Sequence, residues 1–274
     1  MCIVEWEDFI RRDAPPFSAR NPPSGPDSGG KLAAAIGVFD GVHRGHLALI
    51  ERIRVLGIPV VITFRENPKS VLSPSSFKGD LYSLRQKLSV FGECGVSVTV
   101  LIDFSENFSK MQGRDFIGLL ENRRDLAFLA VGANFRCGHR LDTGAAALRS
   151  MTEKAGVKTE IVQPVMEGRR PVSSSRIRDA VASGDLESAA LLLGRPFGLD
   201  LSGLPSHAEG GRRIVDLRAF RGITPPPGSR RALVFTAEGG KGEEAAVSVE
   251  NGRIVISLPR EEKRGEIVER LLFI

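Results

Sequence analysis

At 274 residues, 42% of them hydrophobic and 26% charged, the chain has the composition of a globular protein built as one large and one small domain. Its formal net charge of +5 fits an anionic partner, such as nucleic acid, acidic lipid or a phosphorylated small molecule, or a basic surface that does no more than keep the protein soluble. Cys2, Cys94 and Cys137 lack metal spacing, the N-terminus MCIVEWEDFIRRD has no apolar leader core, and no run approaches the ~20 apolar residues that cross a bilayer; these features argue against a disulfide framework, a zinc site, secretion and a membrane span, and for the cytoplasm.

Residues 14–30, APPFSARNPPSGPDSGG, read as a loop on their Pro, Gly and Ser content. The pattern then alternates. LAAAIGVF (32–39) predicts a buried strand, and HLALIERIRVL (46–56) carries its apolar residues at helical spacing. PVVITF (59–64) is β-branched and predicts a strand. SLRQKLSVFGECG (83–95) opens on a Ser-x-x-Gln capping box and closes on Gly95, so both ends of a helix are marked. VSVTVLIDF (96–104), LAFLAVG (126–132) and KTEIVQPV (158–165) predict strands. Helices are predicted at RDFIGLLENR (114–123), near 144–155, and at 175–182 and 185–194.

Strands that are apolar throughout and separated by helices predict an open parallel sheet covered on both faces, a Rossmann-like α/β domain over residues 1–197. Ligands of such sheets sit beyond the carboxyl ends of the strands. The loops 37–46, 64–72 and 132–144 and the loop before the helix at 175 are therefore expected to converge on one crevice. From residue 198 the character changes. RRIVDLR (212–218), RRALVFTA (230–237), AAVSVE (245–250) and RIVISL (253–258) predict the strands of a small all-β domain, 198–274, with Asn251-Gly252 as a two-residue hairpin turn.

IGVFDGVHRGH (36–46) stands where strand gives way to helix and holds two of the four histidines. Gly37 and Gly41 let the backbone approach a ligand with no Cβ in the way. His43 and His46, three residues apart at a helix start, can turn both rings to one face. The helix N-terminus adds unpaired amides and a partial positive charge, and the combination makes a phosphate site. A metal pair is the rival reading, although such histidines without a carboxylate partner are poor ligands; two surface histidines with no role are another.

GVFDGVHRGH resembles the HxGH signature of the nucleotidyltransferase superfamily. In its longer form it resembles the G-x-F-D-G-V-H-x-G-H of the FMN adenylyltransferase module of bacterial FAD synthetases, usually fused to a C-terminal riboflavin kinase. Three further segments match that family in order. TFRENPKSVL (63–72) is similar to T-F-x-P-H-P-x-x-V-L, and VGANFRCGHRLDTG (131–144) to V-G-x-D/N-F-x-F-G-x-x-x-x-G. VSSSRIRDAVASGDLESAALLLGRPF (172–197) is similar to the I-S-S-T-x-I-R segment with its trailing helices. The departures are Glu66 for a proline, Asn67 for a histidine, Cys137 for a phenylalanine and Ser175 for a threonine. Cys137 reads as a packing change, not a reactive thiol.

The resemblance implies transfer of AMP from ATP to FMN, giving FAD and pyrophosphate, with Mg²⁺ held chiefly by the ATP phosphates. It implies that His43 and His46 serve the ATP phosphates, His46 stabilising the α-phosphoryl group. Gly37, Phe39 and Gly41 would shape the adenine and ribose side, and Asp40 would support the metal or orient the glycine loop. Asn67 would donate to a phosphate or the flavin, and Asn134 would contact FMN or orient the phosphates. Ser173, Ser174 and Ser175 would bind the β- and γ-phosphates, with Arg178 neutralising pyrophosphate as it leaves. Arg176 stays open between ligand binding and a plain surface position, and Phe135 is expected in the core. The partners implied are small molecules, with no nucleic acid and no membrane; the oligomeric state is left open.

Residues 198–274 contain no P-T-A-N, the hallmark of the kinase's G-x-G-x-x-x-G-x-P-T-A-N segment, and RGITPPPGSRRALV (221–234) is only faintly similar to that module's P-x-x-G-x-Y-x-A. A truncated, kinase-inactive remnant is implied. Two alternatives stay open: a transferase for another phosphoacceptor, such as nicotinamide mononucleotide or phosphopantetheine, and a nucleotide- or flavin-binding sensor without turnover.

Overall fold

The computed structural model describes residues 1–11, 30–237, 241–258 and 267–274, so residues 14–29 of the predicted loop lie outside the described residues. The chain divides into two compact units, Met1–Phe77 with Lys87–Pro171, and Lys78–Gln86 with Val172–Ile274.

The first unit begins β1 (Cys2–Glu5), α1 (Trp6–Phe9), β2 (Leu32–Ile36), α2 (Arg44–Leu56), β3 (Ile58–Phe64), α3 (Pro68–Leu72). It continues through α4 (Leu84–Glu93), whose first turn belongs to the second unit, then β4 (Val98–Ile102), α5 (Glu106–Lys110), α6 (Gly113–Leu120) and β5 (Leu126–Gly132). The two-residue ribbon β6 (Arg136–Cys137) and β7 (Thr143–Gly144) follows, then α7 (Ala145–Lys154), β8 (Lys158–Val162) and the short pair β9 (Met166–Glu167) and β10 (Arg170–Pro171). Six strands form one sheet in the order β1-β4-β3-β2-β5-β8, and every pairing is parallel. This is the Rossmann-like sheet that the unbroken apolar strands predict. All five residues of β2, LAAAI, are buried, as helix-covered faces on both sides require. Leu49, Ile50 and Ile53 form the buried stripe of α2, and Trp6 stacks on Phe116 with ring centroids 5.2 Å apart.

Element boundaries differ where a side chain's burial and its backbone disagree. The strand predicted over 32–39 ends at Ile36, because Phe39 (φ 53°), Gly41 (φ 77°) and Val42 (φ 40°) take left-handed conformations around a 3₁₀ turn at Asp40–Val42. Phe39 is apolar because its ring is buried from a turn, and it extends the strand pattern only by chance. The helix predicted from 46 starts at Arg44. The strands β1, β6, β7, β9, β10, β11 (Gly198–Asp200), β12 (Ser206–Glu209) and β17 (Val268–Phe273), and the helices α1, α3 and α5, are additions to the prediction.

In the second unit α8 (Ser174–Ser183) and α9 (Leu186–Leu193) precede β11, β12, β13 (Arg212–Asp216), β14 (Gly228–Thr236), β15 (Glu243–Glu250), β16 (Arg253–Ser257) and β17. These strands form one antiparallel sheet in the order β11-β17-β14-β15-β16-β13-β12. Asn251 and Gly252 (φ 77°) turn β15 into β16, with Glu250 opposite Arg253, as the Asn-Gly pair predicts. The segment 78–86 is stitched into this unit. Asp80 bridges Gly222, Ser83 Oγ donates to Asp200, and Gln86 Nε2 donates to the Gly198 carbonyl at 3.0 Å. The predicted capping box forms: Ser83 N–H donates to Gln86 Oε1 (3.0 Å) and Gln86 N–H to Ser83 Oγ (3.1 Å). Among the described residues no helix is long and apolar enough to cross a membrane.

Candidate active site

In a parallel sheet the loops leaving adjacent strands open on the same edge, which brings 37–43 after β2, 65–67 after β3 and 133–144 after β5 to one end of the first unit. Gly37 N–H donates to the Ile62 carbonyl (3.1 Å), and Thr63 Oγ1 donates to the Val38 carbonyl (3.1 Å), which fixes the first loop on β3. A Cβ on Gly37 would stand 3.2 Å from the Phe39 ring. That ring, fully buried, packs edge-on against Phe91 and lies 5.0 Å from the ring of His46, so Phe39 supports His46 from the protein interior.

His43 is the residue before the first turn of α2 and His46 is the third residue of that helix, its amide donating to the His43 carbonyl at 2.7 Å. The two imidazoles stack face to face, with centroids 3.7 Å apart and planes 15° from parallel. His43 is buried and His46 half-buried. The shared ring face predicted from the i, i+3 spacing is thus observed. Beside the pair, Asp40 is 4% exposed and Asn67 Nδ2 donates to its Oδ2 at 3.5 Å. Asn67 also caps α3, its Oδ1 accepting from Lys69 N–H at 3.1 Å with Pro68 as first helical residue. One amide side chain therefore ties the loop after β2 to the loop after β3. Glu66 is exposed, and Arg44 forms an ion pair with Glu167.

Lys87, which the sequence reading passed over, is buried on α4 and donates from Nζ to the Phe64 carbonyl at the end of β3 (2.9 Å). Its signal was present: it lies three and four residues before the buried Val90 and Phe91, a charge on an apolar stripe. Asn67-Pro68 was a second overlooked signal, since an N-cap residue followed by proline marks the start of α3.

After β5, exposed Asn134 and Arg136 and half-buried Phe135 line a cavity of about 560 Å³ together with Gly144, Ala145 and Ile161. Phe135 also packs against the core, as expected. Cys137 is part of the same packing, and burial, aided by the Asp142 carboxylate, pushes its thiol up to about 12. A thiol so reluctant to ionise is a packing residue.

In the second unit, Ser173 caps α8, its Oγ accepting from Arg176 N–H at 3.4 Å, and Ser174 and Ser175 form the first two positions of the helix. Ser175 is exposed and Arg176 half-buried. Arg178 is buried and donates from Nε to the Gly79 carbonyl at 2.8 Å. The sequence-predicted residues therefore form two groups. Gly37, Phe39, Asp40, Gly41, His43, His46 and Asn67 form one set of touching loops, with Asn134 on the next loop of the sheet. Ser173, Ser174, Ser175, Arg176 and Arg178 share the first turns of one helix.

Residues 26–176 match the family model of FAD synthetases. The chain is 34% identical over 180 residues to the bifunctional riboflavin kinase/FMN adenylyltransferase of Escherichia coli K12, a match covering 64% of this chain and 57% of that relative. It is 28% identical over 205 residues to the protein of the same name from Haemophilus influenzae, covering 72% and 67%. The chain thus spans little more than half the length of the first of these relatives. Among solved structures, a macrolide-efflux protein from Streptococcus pneumoniae superposes with a TM-score of 0.75 at 22% identity, over 89% of this chain and 85% of that one, a likeness of fold alone.

Proposed function

The chain belongs to the FAD synthetase family, and from that premise we propose that it is an FMN adenylyltransferase, transferring AMP from ATP to FMN to give FAD and pyrophosphate. The observation that carries the reading is the stacked His43–His46 pair at the start of α2, beside the Asp40–Asn67 contact. Imidazole N–H groups and helix-terminal amides together suit a polyphosphate.

The FMN phosphate oxygen attacks the α-phosphorus of ATP in line, and the bond to the bridging oxygen of pyrophosphate breaks. A phosphomonoester has a second pKa of about 6, so the nucleophile is already ionised at neutral pH and no general base is required. What remains for the protein is to align two polyanions and to stabilise charge on the transferring group. His46, held from below by Phe39, stabilises the α-phosphoryl group, and His43 holds its neighbour. Gly37 and Gly41 leave room for the adenosine. Asp40, fixed by Asn67, sets the course of the glycine loop. The cavity lined by Asn134 takes FMN. Ser173, Ser174 and Ser175 offer hydroxyls and first-turn amides to the β- and γ-phosphates, with Arg178 supplying charge for the leaving pyrophosphate and Arg176 an outer contact.

Mg²⁺ is proposed to arrive on the ATP phosphates, where it supplies charge neutralisation. Among the described residues no three His, Cys, Asp or Glu side chains stand together as a metal cage. Residues 1–197 carry the transferase on this reading, and 198–274 form a β domain without riboflavin kinase activity, supported by the absence of P-T-A-N from that stretch. The partners are ATP and FMN, with neither nucleic acid nor membrane, and the compartment is the cytoplasm.

Incubation with ATP, Mg²⁺ and a panel of phosphorylated acceptors tests the reading. FAD formed from FMN supports it. Turnover of a different acceptor, or binding of FMN without turnover, overturns it, and FMN formed from riboflavin overturns the kinase part.

A further inference from the structure

The cavity wall depends on a loop whose conformation is held from outside. Between β6 and β7 the chain passes through Arg140 (φ 55°) and Leu141 (φ 59°), two consecutive exposed residues in the left-handed region. A branched side chain such as leucine disfavours that backbone, and two in succession persist only where the surroundings over-determine them.

The restraints converge on α6. The Asp142 carboxylate accepts from Gly113 N–H, the first amide of that helix, at 3.1 Å to Oδ1 and 3.3 Å to Oδ2. The residue before the helix, Gln112, makes no side-chain cap bond, so Asp142 caps α6 from 29 positions along the chain. Thr143 Oγ1 donates to the same carboxylate at 2.8 Å. His139 N–H donates to the Met111 carbonyl (2.8 Å), and the Arg136 guanidinium donates to the Leu141 carbonyl (2.8 and 3.0 Å). Two glycines make the approach feasible. A Cβ on Gly113 would overlap Thr143, and one on Gly138 (φ 83°) would overlap both the Asp142 carboxylate and the Gly113 amide. The helix they grip is anchored in the core through Phe116, Ile117 and Leu120.

Asp142 is joined to the cavity by a short lever. Thr143 pairs with Cys137 and Gly144 with Arg136, and both Gly144 and Arg136 line the cavity. We infer that Asp142 is a positioning residue: by capping α6 it fixes the 136–144 ribbon and so sets the affinity of the adjoining cavity for the flavin nucleotide, without touching it. The inference rests on the proposed function, which places FMN in that cavity. It also assigns a specific duty to a residue between the two terminal glycines of the VGANFRCGHRLDTG segment, where the sequence pattern demands none.

The test uses the full chain, with steady-state FAD formation measured against each substrate in turn. Asp142→Ala is expected to raise KM for FMN roughly tenfold while kcat and KM for ATP stay within about twofold, the split of a displaced binding wall. Asp142→Asn retains a carbonyl acceptor for Gly113 N–H and should hold KM for FMN within about threefold of wild type. Amide hydrogen exchange at Gly113 and 138–143 should quicken in the alanine variant and not in the asparagine variant. Should Asp142→Ala fail to fold, Thr143→Val, which removes the hydroxyl donor, is expected to shift KM for FMN in the same direction by about threefold. An unchanged KM for FMN in a folded alanine variant, or an equal rise for both substrates, overturns the inference and leaves the proposed function standing. A wild-type chain that makes no FAD overturns the function first and the inference with it.

Discussion

The ring of His46 lies flat on the ring of His43, 3.7 Å away, and meets the Phe39 ring at 5.0 Å. An imidazole packed against two rings has little rotational freedom, so its orientation is set before any ligand arrives. Preorganisation of this kind is what stabilises a charge that develops only in the transition state. His46→Ala should lower kcat by roughly 10²-fold or more with a smaller change in KM for ATP. Single-turnover FAD formation measures it, and an unchanged rate removes His46 from the mechanism.

Asn67 performs two tasks with one side chain: capping α3 and holding Asp40. Asn67→Ala should cost about 1 kcal/mol through the lost cap and should also lower activity by loosening the Asp40 loop. Asn67→Asp separates the tasks, because it keeps an acceptor for Lys69 N–H and sets a carboxylate against Asp40. Its thermal midpoint should rise on acidification, as one of the two adjacent carboxylates takes up a proton, while its FAD synthesis at neutral pH remains impaired.

Arg178 is proposed as a phosphate ligand, yet its Nε already donates to the Gly79 carbonyl. The two duties predict different kinetics. As a ligand, Arg178→Ala raises KM for ATP more than KM for FMN. As a tether alone, it weakens both equally and lowers the denaturation midpoint, the lost buried hydrogen bond costing on the order of 1–3 kcal/mol.

The Cys137 thiol, held up to about 12 against an ordinary value of 9.0, predicts a pH dependence of stability. Between those values the unfolded chain releases the proton and the folded chain keeps it, so stability falls as pH rises through that window and is fully present below it. Urea denaturation at pH 8 and pH 11 should show a larger alkaline loss for wild type than for Cys137→Ser. Alkylation of Cys137 at pH 8 should be slow in the folded protein and fast in urea; rapid alkylation of the folded chain would show an ionised, accessible thiol.

The parallel sheet was legible because strands covered on both faces must be apolar without interruption, as LAFLAVG over 126–132 shows. β1 was not, because the four residues CIVE are too few for any periodicity to emerge. Phe39 misled for the opposite reason, since burial from a turn looks the same in one dimension as burial from a strand. Within the site, the His43–His46 pairing follows from local helical geometry and could be read directly. The Asp40–Asn67 contact spans 27 positions and depends on which strands are neighbours, which no single-chain pattern carries.

The placement of Lys78–Gln86 within the second unit means that the polypeptide changes unit three times, at 77–78, 86–87 and 171–172. A chain cut back at residue 197 would keep this borrowed stretch and discard Gly222, Asp200 and Gly198, the groups that bind it. The β unit thus has a structural task, holding a stretch taken from the first half of the chain, that calls for no chemistry of its own.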